Sequence, residues 1–116
     1  MRQGAVHDAE NEHCLISQVW QTNNALERMR GLLGRPALTQ EQGLWIEPCP
    51  SVHTIGMRYA IDVVFLDKSG RVKKICDHLK PLRFSSCTGA RISLELAAGM
   101  AKTMGIRKGM VLYWKE

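Results

Sequence analysis

The chain has 116 residues, 45% of them hydrophobic and 23% charged, with a formal net charge of +5 at pH 7. That is the size of one domain with a core of its own, and the composition excludes a disordered chain. No apolar run approaches the roughly 18–20 residues that span a bilayer, and the modest positive charge reads as a basic surface that favours solubility.

Residues 1–13 carry Arg2 against Asp8, Glu10 and Glu12 and contain no apolar stretch of signal-peptide type. They read as a flexible N-terminal tail, with residues 14–116 as a single globular domain in the cytoplasm. Residues 14–20, rich in branched and aromatic side chains, predict a first strand. The period then changes. Asn24 is placed to cap a helix and Glu27 to complete a capping box. Leu26, Met29 and Leu33 follow at helical spacing, with Leu32 widening the stripe, and Gly34 and Pro36 stop the helix. Gly31 inside it points to a close backbone approach by a neighbour.

Residues 39–42 suggest a turn and 43–47 a short strand, broken by Pro48 and Pro50. Residues 52–57 predict a strand, and 61–66 one covered on both faces, because its apolar run is nearly continuous. Asp67-Lys68-Ser69-Gly70 is a hairpin turn, after which 71–78 return antiparallel. Residues 80–89 read as loop. Residues 90–96 alternate, placing Ile92, Leu94 and Leu96 inward and Arg91, Ser93 and Glu95 outward. A second helix over 97–104 ends at Gly105, and 110–114 form the last strand. The expected fold is α+β and mainly β. It is an antiparallel sandwich or barrel-like sheet with one substantial helix, about 24–34, and one short helix, about 97–104.

Four cysteines, Cys14, Cys49, Cys76 and Cys87, form no Cys-x-x-Cys pair and suit a reducing compartment. Cys49 with His53 and Cys76 with His78 lack the spacing of structural zinc pairs, so no metal or cofactor is implied. The methionines Met29, Met57, Met100, Met104 and Met110 read as packing residues.

Three stretches share a pattern: 28–38 with Gly43-Leu44; 53–72; and 94–99 with Gly105-Ile106 and Gly109. Together they resemble the uncharacterised bacterial and archaeal family called domain of unknown function 192, from about Val19 to Tyr113. The resemblance implies a mainly β fold and brings no activity with it. The chain departs from the family pattern at Met110, where many members are acidic, and at Gly56, where a large subset has tryptophan.

The candidate site residues are Arg28, His53, Thr54, Met57 and Asp62. Asp62 interrupts an apolar strand, and a buried carboxylate needs a partner; Arg28 is the expected one. His53 with Asp62 as its orienting carboxylate would be a general base. The leading reading is a non-catalytic module binding a small polar ligand or a protein partner in a cleft, and acting as a monomer away from membranes. One alternative is a hydrolase or isomerase using His53 and Asp62. The other is nucleic-acid binding through Arg71, Lys73, Lys74, Lys80 and Arg83 with Phe84.

Overall fold

Nine strands and two short helices follow one another in the computed structural model, which describes residues 1–116. The strands are β1 Arg2–Asp8, β2 Cys14–Gln21, β3 Gln42–Ile46, β4 Ser51–His53, β5 Ile61–Leu66, β6 Val72–Leu79, β7 Phe84–Ser86, β8 Ile92–Ala97 and β9 Leu112–Lys115. The helices are α1 Ala25–Arg30 and α2 Met100–Thr103. Strands take 45% of the residues and helices 9%, so the mainly β expectation holds and the substantial helix does not.

Seven strands make one sheet in the order β6-β5-β8-β3-β2-β1-β9, while β4 and β7 pair separately. All neighbours in the large sheet run antiparallel except β2 and β3, which are parallel. The sheet is therefore mixed, not antiparallel. A parallel pair needs a crossover, and the segment carrying α1 supplies it. The sheet curls into a half-barrel, and a single bridge between Arg71 and Val111 joins its two ends.

The pleat sorts side chains into two layers. Val64 and Leu66 of β5 and Ile92, Leu94 and Leu96 of β8 point into the curl, where they meet Val6, Ile16, Val19 and Leu112. Ile61, Val63 and Phe65 of β5 point to the opposite face with Leu44 and Ile46 of β3, under Leu32 and Val52. The turn after α1 and the small β4–β7 pair thus form a cover on the outside of the half-barrel.

Several expectations are corrected. Residues 2–8 form a strand, not part of a tail. β1 is hydrogen-bonded to β2 on one side and β9 on the other, and Val6 is fully buried, so backbone pairing holds a segment of mostly polar side chains. The first helix has six residues. Asn24 caps it through Oδ1 to the Glu27 N–H at 2.9 Å, as its sequence suggests, but Glu27 reaches back to Asn23 rather than to Asn24. The helix ends at Gly31, whose φ of 52° and ψ of −126° leave helical geometry. Its stripe is not core: Leu26 and Met29 are 76% and 78% exposed. The second helix shrinks to four residues, the strand expected over 52–57 to 51–53, and β7 lies in a stretch read as loop. Glu95 and Ser93, expected to face solvent, are buried, because β8 is a central strand covered on both faces.

Candidate functional site

A cleft of about 300 Å³ opens between α1, β4 and the outer face of the sheet. Arg28 enters it from α1, Cys49 from the segment after β3, His53 from β4, Met57 from the loop before β5, and Glu95 from β8. Met29, Leu33 and Ile55 form an exposed apolar rim. The volume lies at the lower end of the range for small-molecule sites, and an apolar lining with a few convergent polar groups is their usual make-up.

Glu95 is the central group. In the sheet it stands between Val63 of β5 and Leu44 of β3, two buried aliphatic neighbours. It is 5% exposed, and its Oε1 has no hydrogen-bond partner. Burial pushes its pKa up to about 7, because loss of water disfavours the charged form. Gly31 lies over it; a Cβ at that position would sit 3.6 Å from Oε1. The close backbone approach expected at Gly31 is not seen: a Cβ would meet only side-chain atoms at ordinary contact distance, and the glycine is needed for its positive φ at the end of α1.

The surroundings are firmly held. Ser93 Oγ donates to the Cys49 carbonyl at 2.6 Å, and Cys49 Sγ donates to the Ser51 carbonyl at 3.0 Å. Burial pushes the Cys49 thiol up. Tyr59 donates to the Arg35 carbonyl at 3.1 Å, and its phenol is pushed up first by burial and then by the charge of Glu95. The Arg28 guanidinium pulls the Cys49 thiol down by a smaller amount.

Of the five candidate residues, Arg28, His53 and Met57 line the cleft, and Thr54 and Asp62 do not. Thr54 is fully buried; its Oγ1 donates to the Lys80 carbonyl at 2.6 Å and accepts from the Arg83 N–H at 2.9 Å, pinning the chain after β4 to the loop after β6. Asp62 shares the phase of Val64 and Leu66 and so faces into the curl, away from the cleft. Its Oδ1 accepts from the N–H groups of His78 and Gly99 and its Oδ2 from that of Ala101, each at 2.9 Å. The partner of Asp62 is backbone of β6 and of the start of α2, not Arg28, and it cannot orient His53 from the other face of the sheet.

Asp62, Asp77 and His78 bring ligand-type atoms within 4.8 Å of one another. The Asp62 oxygens are already engaged by three N–H groups, and His78 Nδ1 is hydrogen-bonded to Asp77 Oδ1 at 2.6 Å, so those donors serve the β6–α2 junction. In the basic cluster, Arg71, Lys74 and Arg83 donate to main-chain carbonyls of Gly109, Ser86 and Pro81. No helix is long and apolar enough to cross a membrane.

Two solved structures share the fold. A protein of unknown function from Novosphingobium aromaticivorans is 22% identical, with a TM-score of 0.77 over 97% of this chain and 84% of its own. A candidate transcription regulator from Sinorhizobium meliloti is 20% identical, with a TM-score of 0.82 over 97% of this chain and 94% of its own. No curated protein matches the chain. Residues 6–114 match the family described as Uncharacterized ACR, domain of unknown function 192, and the chain belongs to that family.

Proposed function

We propose that the protein is a small binding module, and that the cleft bounded by Arg28, Cys49, His53, Met57 and Glu95 receives its ligand. The observation that carries this reading is Glu95, a buried carboxyl whose Oε1 is unpaired at the base of an open cleft. Buried polar atoms are nearly always paired, so a carboxyl that lines an open cleft with an orphaned oxygen is a place for an incoming donor. The exposed apolar rim of Met29, Leu33 and Ile55 supplies area to desolvate a hydrocarbon body. Catalysis has less support, because the acid–base pair it needs is split between two faces of the sheet. The description of one structural neighbour as a candidate transcription regulator raises nucleic acid as a second reading. Against it, three of the cations it would use are occupied by carbonyls of their own chain. A monomer in the cytoplasm, with its four thiols free, completes the proposal.

The test is an amide chemical-shift titration of the isotope-labelled protein against pools of metabolites. Shifts clustering at Arg28, His53, Met57 and Glu95 are expected. Shifts confined to β6 and the 80–84 loop, or none from any pool, would overturn the cleft as the site.

A further inference from the structure

We infer that the cleft selects an organic ammonium ion, with the charged nitrogen seated on Glu95 and a short apolar body lying against Met57, Leu33 and Ile55. The inference rests on the cleft being the ligand site and adds the chemical class of what enters it.

The argument begins with what faces Glu95. Arg28 projects from α1, Cys49 from the segment after β3, His53 from β4, and Tyr59 from the loop before β5. None of them bonds Oε1. Tyr59 gives its proton to the Arg35 carbonyl and Cys49 gives its own to Ser51, so the neighbouring donors are committed elsewhere. Arg28 lines the same cleft but makes no hydrogen bond or ion pair with Glu95, whose pKa is raised by burial. A carboxylate in this position is most stabilised by a cation that brings its own hydrogen-bond donors. An alkylammonium supplies N–H donors on a narrow headgroup, and its chain covers the exposed rim. A neutral donor such as an alcohol satisfies Oε1 but leaves the buried charge uncompensated.

Binding of this kind is linked to protons. Below neutrality Glu95 is largely the neutral acid, and it must release that proton to solvent as the ammonium arrives. With a carboxyl titrating near 7, affinity for a permanently charged amine rises about tenfold between pH 6 and pH 8 and levels off above. A neutral alcohol of the same length shows no such rise.

The experiment is isothermal titration of the full chain with n-pentylammonium and with n-pentanol at pH 6 and pH 8. A blocked peptide with a central lysine provides a third arm. Tighter binding of pentylammonium than of pentanol, with the tenfold pH step and proton release to buffer, is the expected result. If the lysine peptide outcompetes pentylammonium, the ammonium comes from a protein side chain; if it does not, from a free amine. Glu95→Gln is expected to lower pentylammonium affinity at least tenfold at pH 8 and to abolish the pH step. Histidines titrate in the same pH range, so His53→Gln is the control, and there the ratio between the two pH values should stay near tenfold. Equal binding of alcohol and ammonium with no pH step overturns the ammonium class and leaves the cleft standing. Silence from both probes, with no amide shifts in the cleft, overturns the cleft itself. The wild-type pH profile decides the matter even if Glu95→Gln does not fold.

Discussion

Two carboxylates sit on adjacent strands of one sheet, and their fates are opposite. Asp62 is buried and fully employed, accepting one backbone N–H group from β6 and two from the start of α2. Glu95 is buried, and its Oε1 is without a hydrogen-bond partner. Asp62→Ala would strand those N–H groups at about 1 kcal/mol or more each, a loss on the order of 3 kcal/mol that chemical denaturation should register. Arg28→Ala should stay within about 0.5 kcal/mol of wild type, because Arg28 is not the partner of Asp62. An equal loss in the two variants would restore the ion pair that the sequence suggested. Glu95 behaves in the other direction. Its folded pKa, about 7, is raised above the ordinary carboxyl value, so the folded state holds the extra proton. Stability is then greatest at low pH and declines from about pH 4.5 to 7 as the carboxyl ionises against its surroundings. Glu95→Gln removes that decline. The variant should match wild type near pH 4.5 and exceed it above pH 7, by up to roughly 3 kcal/mol, in urea unfolding at the two pH values. A pH-independent difference would mean that Glu95 is solvated. That Asp62 needed a partner was legible from one charged residue in an apolar run. Which partner was not, because the three N–H donors lie 16 to 39 positions away and carry no side-chain signature.

At the scale of elements, α1 shows why local pattern misleads. Its cap was readable from Asn24 and Glu27, because capping is a contact over three residues. Its length was not, since the periodic Leu33 continues the helical stripe past Gly31. Gly31 ends the helix in a conformation open to glycine, and that break lets the chain turn over Glu95. Gly31→Ala should therefore cost about 1–3 kcal/mol from backbone strain, measured by thermal unfolding, and should also perturb the amide resonances around Glu95. Had Gly31 been mid-helix, the same substitution would instead stabilise the fold by about 1 kcal/mol. β8 gives the converse lesson. Its alternation in the sequence is that of a half-buried strand, and the side-chain phase was right: Ile92, Leu94 and Leu96 share one face. What covers the other face comes from the turn after α1 and from β4, segments more than 35 residues earlier, and no local pattern reports it. For that reason Glu95, which lines the same cleft as Arg28, His53 and Met57, was assigned to solvent.

On the scale of the whole molecule, the sheet is held in its curl at one place. The Arg71–Val111 bridge is flanked by hydrogen bonds from Val72 N–H to the Met110 carbonyl and from Leu112 N–H to the Gly70 carbonyl, both at 2.8 Å. Gly70 allows this contact: its φ is 88°, and a Cβ there would collide with the Leu112 carbonyl oxygen. Gly70→Ala should part the two ends of the sheet and speed hydrogen exchange at Val72 and Leu112 ahead of β5 and β8. Uniform loss of protection across the sheet would show that the seam is not a separate unit.

That seam also leaves something open. Beyond the single bridge, the outer sides of β6 and β9 are unpaired ladders, the kind of template on which foreign chains add strands and aggregates grow. The residues exposed along them include Lys73 and Lys74 on one, beside the paired Asp77 and His78, and Lys115 on the other, in a chain of net charge +5. Two molecules meeting edge to edge would bring lysine ammonium groups together before their backbones could pair, so charge opposes a strand addition that a closed barrel would not offer.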